Sequence, residues 1–253
     1  MAWYEWPFIL SNVFSQLAVG AFIVLGFVIL SGKLCFGQLD RLHKTMQALW
    51  LLFAVALLLR EGSMMLSSSE AAYQFSHEAF MTAGFFVSAL LYWFAEKALF
   101  ASDTVRKGLL MAVIALGVLY LANGLLVRSE QWLVASHFLA TTLCGGALLA
   151  HSMLIRAQHK VEELNGWLPK VGAVIAVICL VTGLPQMVDL IYMAEQHNEA
   201  APFVAQVISL GLLIAAVGVW FMPTLTKSKP VFNVMSFAMV MMFFSSYFAG
   251  VGY

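Results

Sequence analysis

The sequence predicts an all-α integral membrane protein with eight transmembrane helices. Three observations carry that expectation. Of the 253 residues, 62% are hydrophobic and 10% charged, with a mean hydropathy of +0.89, whereas a soluble domain carries roughly 25% charge. Eight apolar runs approach or exceed the ~20 residues that a helix needs to cross a bilayer. Lysine and arginine fall almost wholly in alternate connections, so a single alternation of sides fits every run. Helix is required because hydrocarbon offers an unpaired backbone no hydrogen-bonding partner.

The first run, Phe8–Leu30, is preceded by Trp3, Tyr4, Glu5, Trp6 and Pro7. Aromatic residues at that depth anchor a helix in the headgroup region. The second run, Thr45–Met65, carries Arg60 and Glu61 near its end, and the third, Glu78–Glu96, opens beside His77. The remaining runs are Gly108–Val127, Trp132–Ile155, Val171–Ala194, Phe203–Thr224 and Val231–Gly252. Short connections make consecutive helices antiparallel neighbours. Gly145 and Gly146 in the fifth run, and the Gly211, Ala215, Gly218 stripe in the seventh, suit close helix approach. The fourteen methionines read as lipid- or core-facing filler.

One set of connections holds Lys33, Arg41, Lys44, Lys97, Arg106, Lys107, Arg156, Lys160, Lys170, Lys227 and Lys229; the other holds only Arg60 and Arg128. The positive-inside rule makes the first set cytoplasmic. Both termini and the stretch Arg60–Glu78 are then external, periplasmic in a Gram-negative cell. The outer side is acidic, with Glu5, Glu61, Glu70, Glu78, Glu130, Asp189, Glu195 and Glu199, which suits a basic docking partner or proton release. The net charge of zero implies no nucleic-acid partner. Cys35, Cys144 and Cys179 show no CxxC spacing, so neither a disulfide framework nor an iron–sulfur site is expected. The first run is too long, and lacks the basic leader, for a cleavable signal.

The densest chemistry lies in Arg60–Glu78, where Arg60, Glu61, Glu70, His77 and Glu78 gather at one membrane surface. That density suggests proton handling. A quinol site is one chemistry that needs such a mouth: oxidising a quinol releases two electrons and two protons, so it requires hydrogen-bond acceptors, a proton exit and a nearby electron acceptor. Glu78 at a helix start also fits a plain helix-dipole role with Ser76 as cap. His77, with an ordinary pKa near ~6.5, suits a proton acceptor or a solvated interface histidine. Arg60 and Glu61 suit either a snorkelling arginine with its acid or a place beside the quinone head. Asp189, one turn after Pro185 and Gln186, is expected to face the bundle interior or a wet cavity. It is a candidate for a proton path or a structural partner of backbone freed by the proline. His137 and His151 share a helix face as in cytochromes that stack two haems, but second-helix ligands are lacking, so no haem is expected. His43 and His159 read as loop residues.

The opening WYEWPFILSNVFSQLAVGAFIVLGFVIL, residues 3–30, resembles that of the dimethyl sulfoxide reductase membrane-anchor (DmsC) family, including its Phe-x-Gln at Phe14-Ser15-Gln16. Further segments are similar in order. They are Leu49-Trp50-Leu51-Leu52, Ser76-His77-Glu78-Ala79, Thr142 to Leu149 with its glycine pair, and Ala216 to Pro223. The resemblance covers essentially the whole chain.

It implies a single membrane domain, residues 1–253, built as two four-helix bundles, 1–127 with the quinol site and 132–253. It implies an outer-face assembly with an iron–sulfur subunit of the four-cluster ferredoxin type and a molybdopterin catalytic subunit. In that assembly menaquinol is oxidised without haem or a metal held by this chain. Two departures stand out. The family's second helix ends in His-Leu-Gly-Ser-Pro, where this chain has Ser63-Met64-Met65-Leu66-Ser67-Ser68. The family's last helix carries Gly-Glu-x-x-x-Arg, where Phe244 to Gly250 hold neither charge.

The resulting expectation is a quinol-oxidising anchor of a molybdoenzyme that reduces dimethyl sulfoxide or a similar S- or N-oxide. It would sit in the bacterial inner membrane among lipid, as an electron-transfer subunit of the complex in anaerobic respiration. Glu78 would be the proton acceptor, with Arg60, Glu61 and His77 around the quinol. The alternative is a purely structural anchor, which the two departures favour. A transporter would want charge or broken helices at the midplane, and Asp189 and Pro185 are not central.

Overall fold

A computed structural model describes residues 6–67, 77–98, 102–197 and 200–251. Among them lie nine helices: α1 (Trp6–Leu30), α2 (Phe36–Thr45), α3 (Gln47–Ser67), α4 (His77–Ala98), α5 (Asp103–Val127), α6 (Trp132–Arg156), α7 (Glu162–His197), α8 (Ala201–Leu225) and α9 (Phe232–Val251). Seven spans are long and apolar enough to cross a membrane: Trp6–Leu30, Phe36–Met64, Asp103–Val127, Trp132–Arg156, Glu162–Gln196, Ala201–Leu225 and Phe232–Val251. α4 adds the shorter apolar stretch Phe80–Glu96. The eight apolar runs of the sequence therefore fall on α1 and α3–α9.

The ninth helix, α2, occupies what the sequence reading leaves as a basic connection. Its apolar residues Phe36, Leu39 and Leu42 recur every third position among polar ones. Its start is tied by the Cys35 backbone N–H donating to Gln38 Oε1 at 3.2 Å. The helix breaks at Met46 and α3 follows at once. α2 buries Leu42 and His43 and rests on α3 and α6.

α1 and α6 are the most deeply buried of the helices, and α1 touches both halves of the chain. Neighbour contacts run α1–α3, α3–α4, α4–α5 and α5–α1, then α6–α7, α7–α8, α8–α9 and α9–α6. α1 against α6 and α9, and α5 against α6, join the two sets. One core runs through both, from Phe22, Phe53 and Phe85 to Leu148, Leu213 and Trp220.

The α1–α6 crossing depends on glycine. A methyl group on Gly146 would lie 2.5 Å from Gly20 Cα and 2.7 Å from the Ala21 nitrogen, and one on Gly20 would strike the Thr142 carbonyl. The expected close approach at the fifth-run glycine pair is therefore present, and its partner is α1. The Gly211/Gly218 stripe behaves otherwise. Both glycines are exposed and have nothing within 4 Å of an added Cβ, so that stripe is no helix interface within this chain.

α7 is 36 residues long, about 54 Å at 1.5 Å per residue, against a hydrocarbon core of ~30 Å. It begins at Glu162, ahead of the expected Val171, with Glu162 and Glu163 in its first turn against the positive end of the helix dipole. Pro169 and Pro185 both lie within it.

Candidate functional site

The expected quinol residues lie on two neighbouring helices. Arg60 and Glu61 sit in α3, one to two turns before its end at Ser67, and His77 and Glu78 open α4. α3 and α4 pack together, so both pairs belong to the same end of the molecule. Arg60 does not snorkel to solvent. It is 5% exposed, and its guanidinium lies over the Phe8 ring of α1, 5.8 Å from the centroid. Glu61 is half-buried. One turn along α3 toward the interior, the Ser11 hydroxyl of α1 donates to the Ala56 carbonyl at 2.7 Å and fixes the α1–α3 register. Thr82, one turn after Glu78, is buried. The side chains of His77 and Glu78, and all of Glu70 and Ser76, lie outside the described residues.

Asp189 departs from expectation. It is exposed on the outer face of α7 beside Val188, while Gln186 and Leu190 take the buried face. The helical period decides this: three residues separate Asp189 from Gln186, but the burial stripe passes through Gln186 and Leu190, four apart. Its carboxyl faces outward from this chain rather than into the helix bundle.

His137 and His151 are built into helix contacts. His151 accepts from the Trp220 indole N–H at Nδ1, 2.8 Å, which places its proton on Nε2, 3.2 Å from Asn165 Oδ1. Both ring nitrogens are thus engaged by side chains of α7 and α8. His137 Nδ1 lies 3.1 Å from the Cys179 carbonyl and 3.2 Å from Thr182 Oγ1. A carbonyl can only accept, so Nδ1 carries the proton.

Two polar groups escape the sequence reading. Asn12, Gln16, Tyr120, Asn123 and Arg128 line a recess between α1, α5 and α6 of about 10 Å³, the room of about one water. Gln16 belongs to the Phe-x-Gln signature, so that signal was present in the sequence, without its partners. Tyr120 reaches Ser15 Oγ at 3.1 Å, and the Arg128 guanidinium stacks 4.4 Å over Phe138. At the basic end, His43 of α2 meets the Glu96 carboxylate of α4, both buried. The His43 ring stacks on Trp93 at 5.6 Å and 7°, and Trp93 Nε1 donates to the His43 carbonyl at 3.1 Å. His43 is therefore not a loop residue; it fastens α2 to α4. His159, which does lie in a connection, has its pKa lowered chiefly by burial, with its contact to Asn165 opposing.

Among the described residues these features define a class: a helical, multi-pass membrane protein with most of its lysines and arginines at one end. The family model described as DMSO reductase anchor subunit (DmsC) matches residues 1–250, and the chain belongs to that family. It is similar to the anaerobic dimethyl sulfoxide reductase chain YnfH of Escherichia coli strain K12, 26% identical over 246 residues, covering 90% of this chain and 86% of the relative. No solved structure matches it.

Proposed function

We propose that this chain is the quinol-oxidising anchor of a dimethyl sulfoxide reductase-type complex. The family match along residues 1–250 carries the anchor role. The convergence of Arg60 and Glu61 on α3 with His77 and Glu78 on α4 at one end supports the quinol role. Menaquinol gives up two electrons to an iron–sulfur cluster of the partner subunit and two protons to the outer water. Glu78 takes a proton at the helix mouth, and buried Arg60 holds the neighbouring charge balance. The partners are a four-cluster ferredoxin-type subunit and a molybdopterin catalytic subunit on the acidic, external face. Both termini lie on that face, and the membrane is the bacterial inner membrane. The two closed cycles of helix neighbours support two four-helix bundles sharing α1 and α6 as their seam. His151, engaged at both nitrogens, supports electron transfer without haem in this chain.

The test is Glu78→Gln, which keeps size and removes the proton acceptor. A positioned acid–base group contributes about 10²–10⁴-fold. Quinol-driven turnover should fall by that order while viologen-driven turnover is kept, since viologen bypasses this subunit. A wild-type quinol rate in the variant would remove Glu78 from the mechanism. The second reading, a structural anchor, rests on the missing histidine in Ser63–Ser68 and the missing charges in Phe244–Gly250. It predicts no quinol-driven turnover in the unmodified complex.

A further inference from the structure

A groove of about 890 Å³ lies between α1 and α3 on one side and α6 and α9 on the other. That volume is within the ~300–1,000 Å³ of sites that enclose a ligand. Its depth is apolar, with Phe14, Leu51, Met239 and Phe243 among the lining. Its mouth is not. Lys44 from the end of α2 and Arg156 from the end of α6 both line it, with Thr45, Gln47 and Ser152 nearby. Both cations belong to the basic side of the chain, so the mouth is at one membrane surface and the apolar depth runs toward the bilayer interior.

We propose that this groove binds an anionic phospholipid from the leaflet on the basic side. The phosphodiester lies between Lys44 and Arg156, and the acyl chains fill the cleft between the two halves. The charge pattern selects this occupant. Lys44 Nζ is held by Asp40 at 2.7 Å, and Arg156 lies 5.5 Å over the Phe232 ring. Asp40 offsets one charge, and Arg156 leaves the mouth net positive. A neutral quinone head has no charge to pair with those cations, and a zwitterionic lipid offsets its phosphate with its own ammonium group, whereas basic pockets between membrane helices attract anionic headgroups. The groove runs from the basic mouth on a path separate from Arg60 and Glu61, which are not among its lining. The site thus goes beyond the proposed quinol chemistry and does not depend on it.

The experiment uses the complex purified from its own membrane. Co-purifying lipid is quantified by mass spectrometry. After delipidation, phosphatidylglycerol or phosphatidylcholine is added back in mixed micelles and the thermal midpoint is followed. The expected result is retained anionic lipid and a midpoint raised by phosphatidylglycerol alone. Each cation near an anionic lipid is worth about 5-fold in affinity, so Lys44→Gln with Arg156→Gln should weaken phosphatidylglycerol about 25-fold. Ala48→Phe, at an exposed groove position, should displace the bound lipid without touching either charge. If the double variant does not assemble, wild type in ~1 M salt, where screening reaches ~3 Å, should lose the preference for phosphatidylglycerol. The proposal is overturned if the two lipids act alike, if anionic lipid is retained at wild-type level by the double variant, or if the preference persists in high salt. It is also overturned if Ala48→Phe expels quinone and leaves phospholipid in place.

Discussion

Gly146→Ala should loosen the seam between the two halves of the chain. The added methyl would sit 2.5 Å from Gly20 Cα and 2.7 Å from the Ala21 nitrogen. Ordinary carbon contacts lie at ~3.5–4.0 Å, so α1 and α6 must part by about 1 Å. The obstacle is backbone, which cannot rotate out of the way as a side chain can. Overpacking of this kind costs about 1–3 kcal/mol, and the better helix propensity of alanine returns up to ~1 kcal/mol. A net loss of about 1–2 kcal/mol remains, since the crossing lies between two cycles of helix neighbours and closes both. Gly211→Ala is the control, because nothing lies within 4 Å of the new methyl. The assay is the thermal unfolding midpoint of the detergent-solubilised chain. At about 2–4 °C per kcal/mol for a chain of this size class, Gly146→Ala should fall by several degrees and Gly211→Ala should hold or rise. Equal midpoints for Gly146→Ala and wild type would refute the argument that these backbones touch.

Further outcomes follow from other contacts. Glu96→Ala leaves a buried nitrogen of His43 without its carboxylate partner and should cost about 1–3 kcal/mol, the penalty for orphaning a buried polar group, read as lost thermal stability; an unchanged midpoint would contradict the α2–α4 fastening. The purified subunit should show no reduced b-type α-band; a stoichiometric one, lost in His137→Ala, would overturn the reading of His137 as a packing residue. His159 has a folded pKa below its ordinary 6.5, so the unfolded chain binds more protons there. Its contribution is full above pH ~6.5 and is lost as pH falls through the window between 6.5 and the lowered folded value. His159→Gln should flatten that part of the stability profile, and an unaltered profile would contradict it. Alkaline phosphatase fused after Tyr253 should be active if both termini are external; activity there only from a cytoplasmic reporter would reverse the topology.

How much of this was legible in the sequence depends on the range of each interaction. Membrane helices are local facts, set by ~20 residues of composition, so each expected run lies on a helix. α2 was missed because Phe36–Thr45 mixes apolar and charged residues, and hydropathy averaging erases its period. Glycine at Gly146 was legible as a small residue, but its partner Gly20 lies in another helix, and no local pattern names it. The same limit explains the stripe at Gly211 and Gly218: spacing shows that a face is small, not what it meets. Asp189 was placed inward because a charge in an apolar run usually hides, yet the burial stripe of α7 passes through Gln186. For the proposed quinol site, proximity along the chain groups Arg60 and Glu61 with His77 and Glu78. Packing of α3 on α4 puts both pairs at one end, and burial of Arg60 against Phe8 adds a contact that only the fold reveals.

The central claim is that this chain hands electrons from quinol to its partners. The most direct measurement compares the isolated catalytic and iron–sulfur pair with the full complex containing this chain, each driven by a menaquinol analogue and by reduced viologen. Equal viologen rates are expected, with a quinol rate that appears only when this chain is present. A full complex that turns over with viologen but not with quinol would contradict it and leave the chain as an anchor alone.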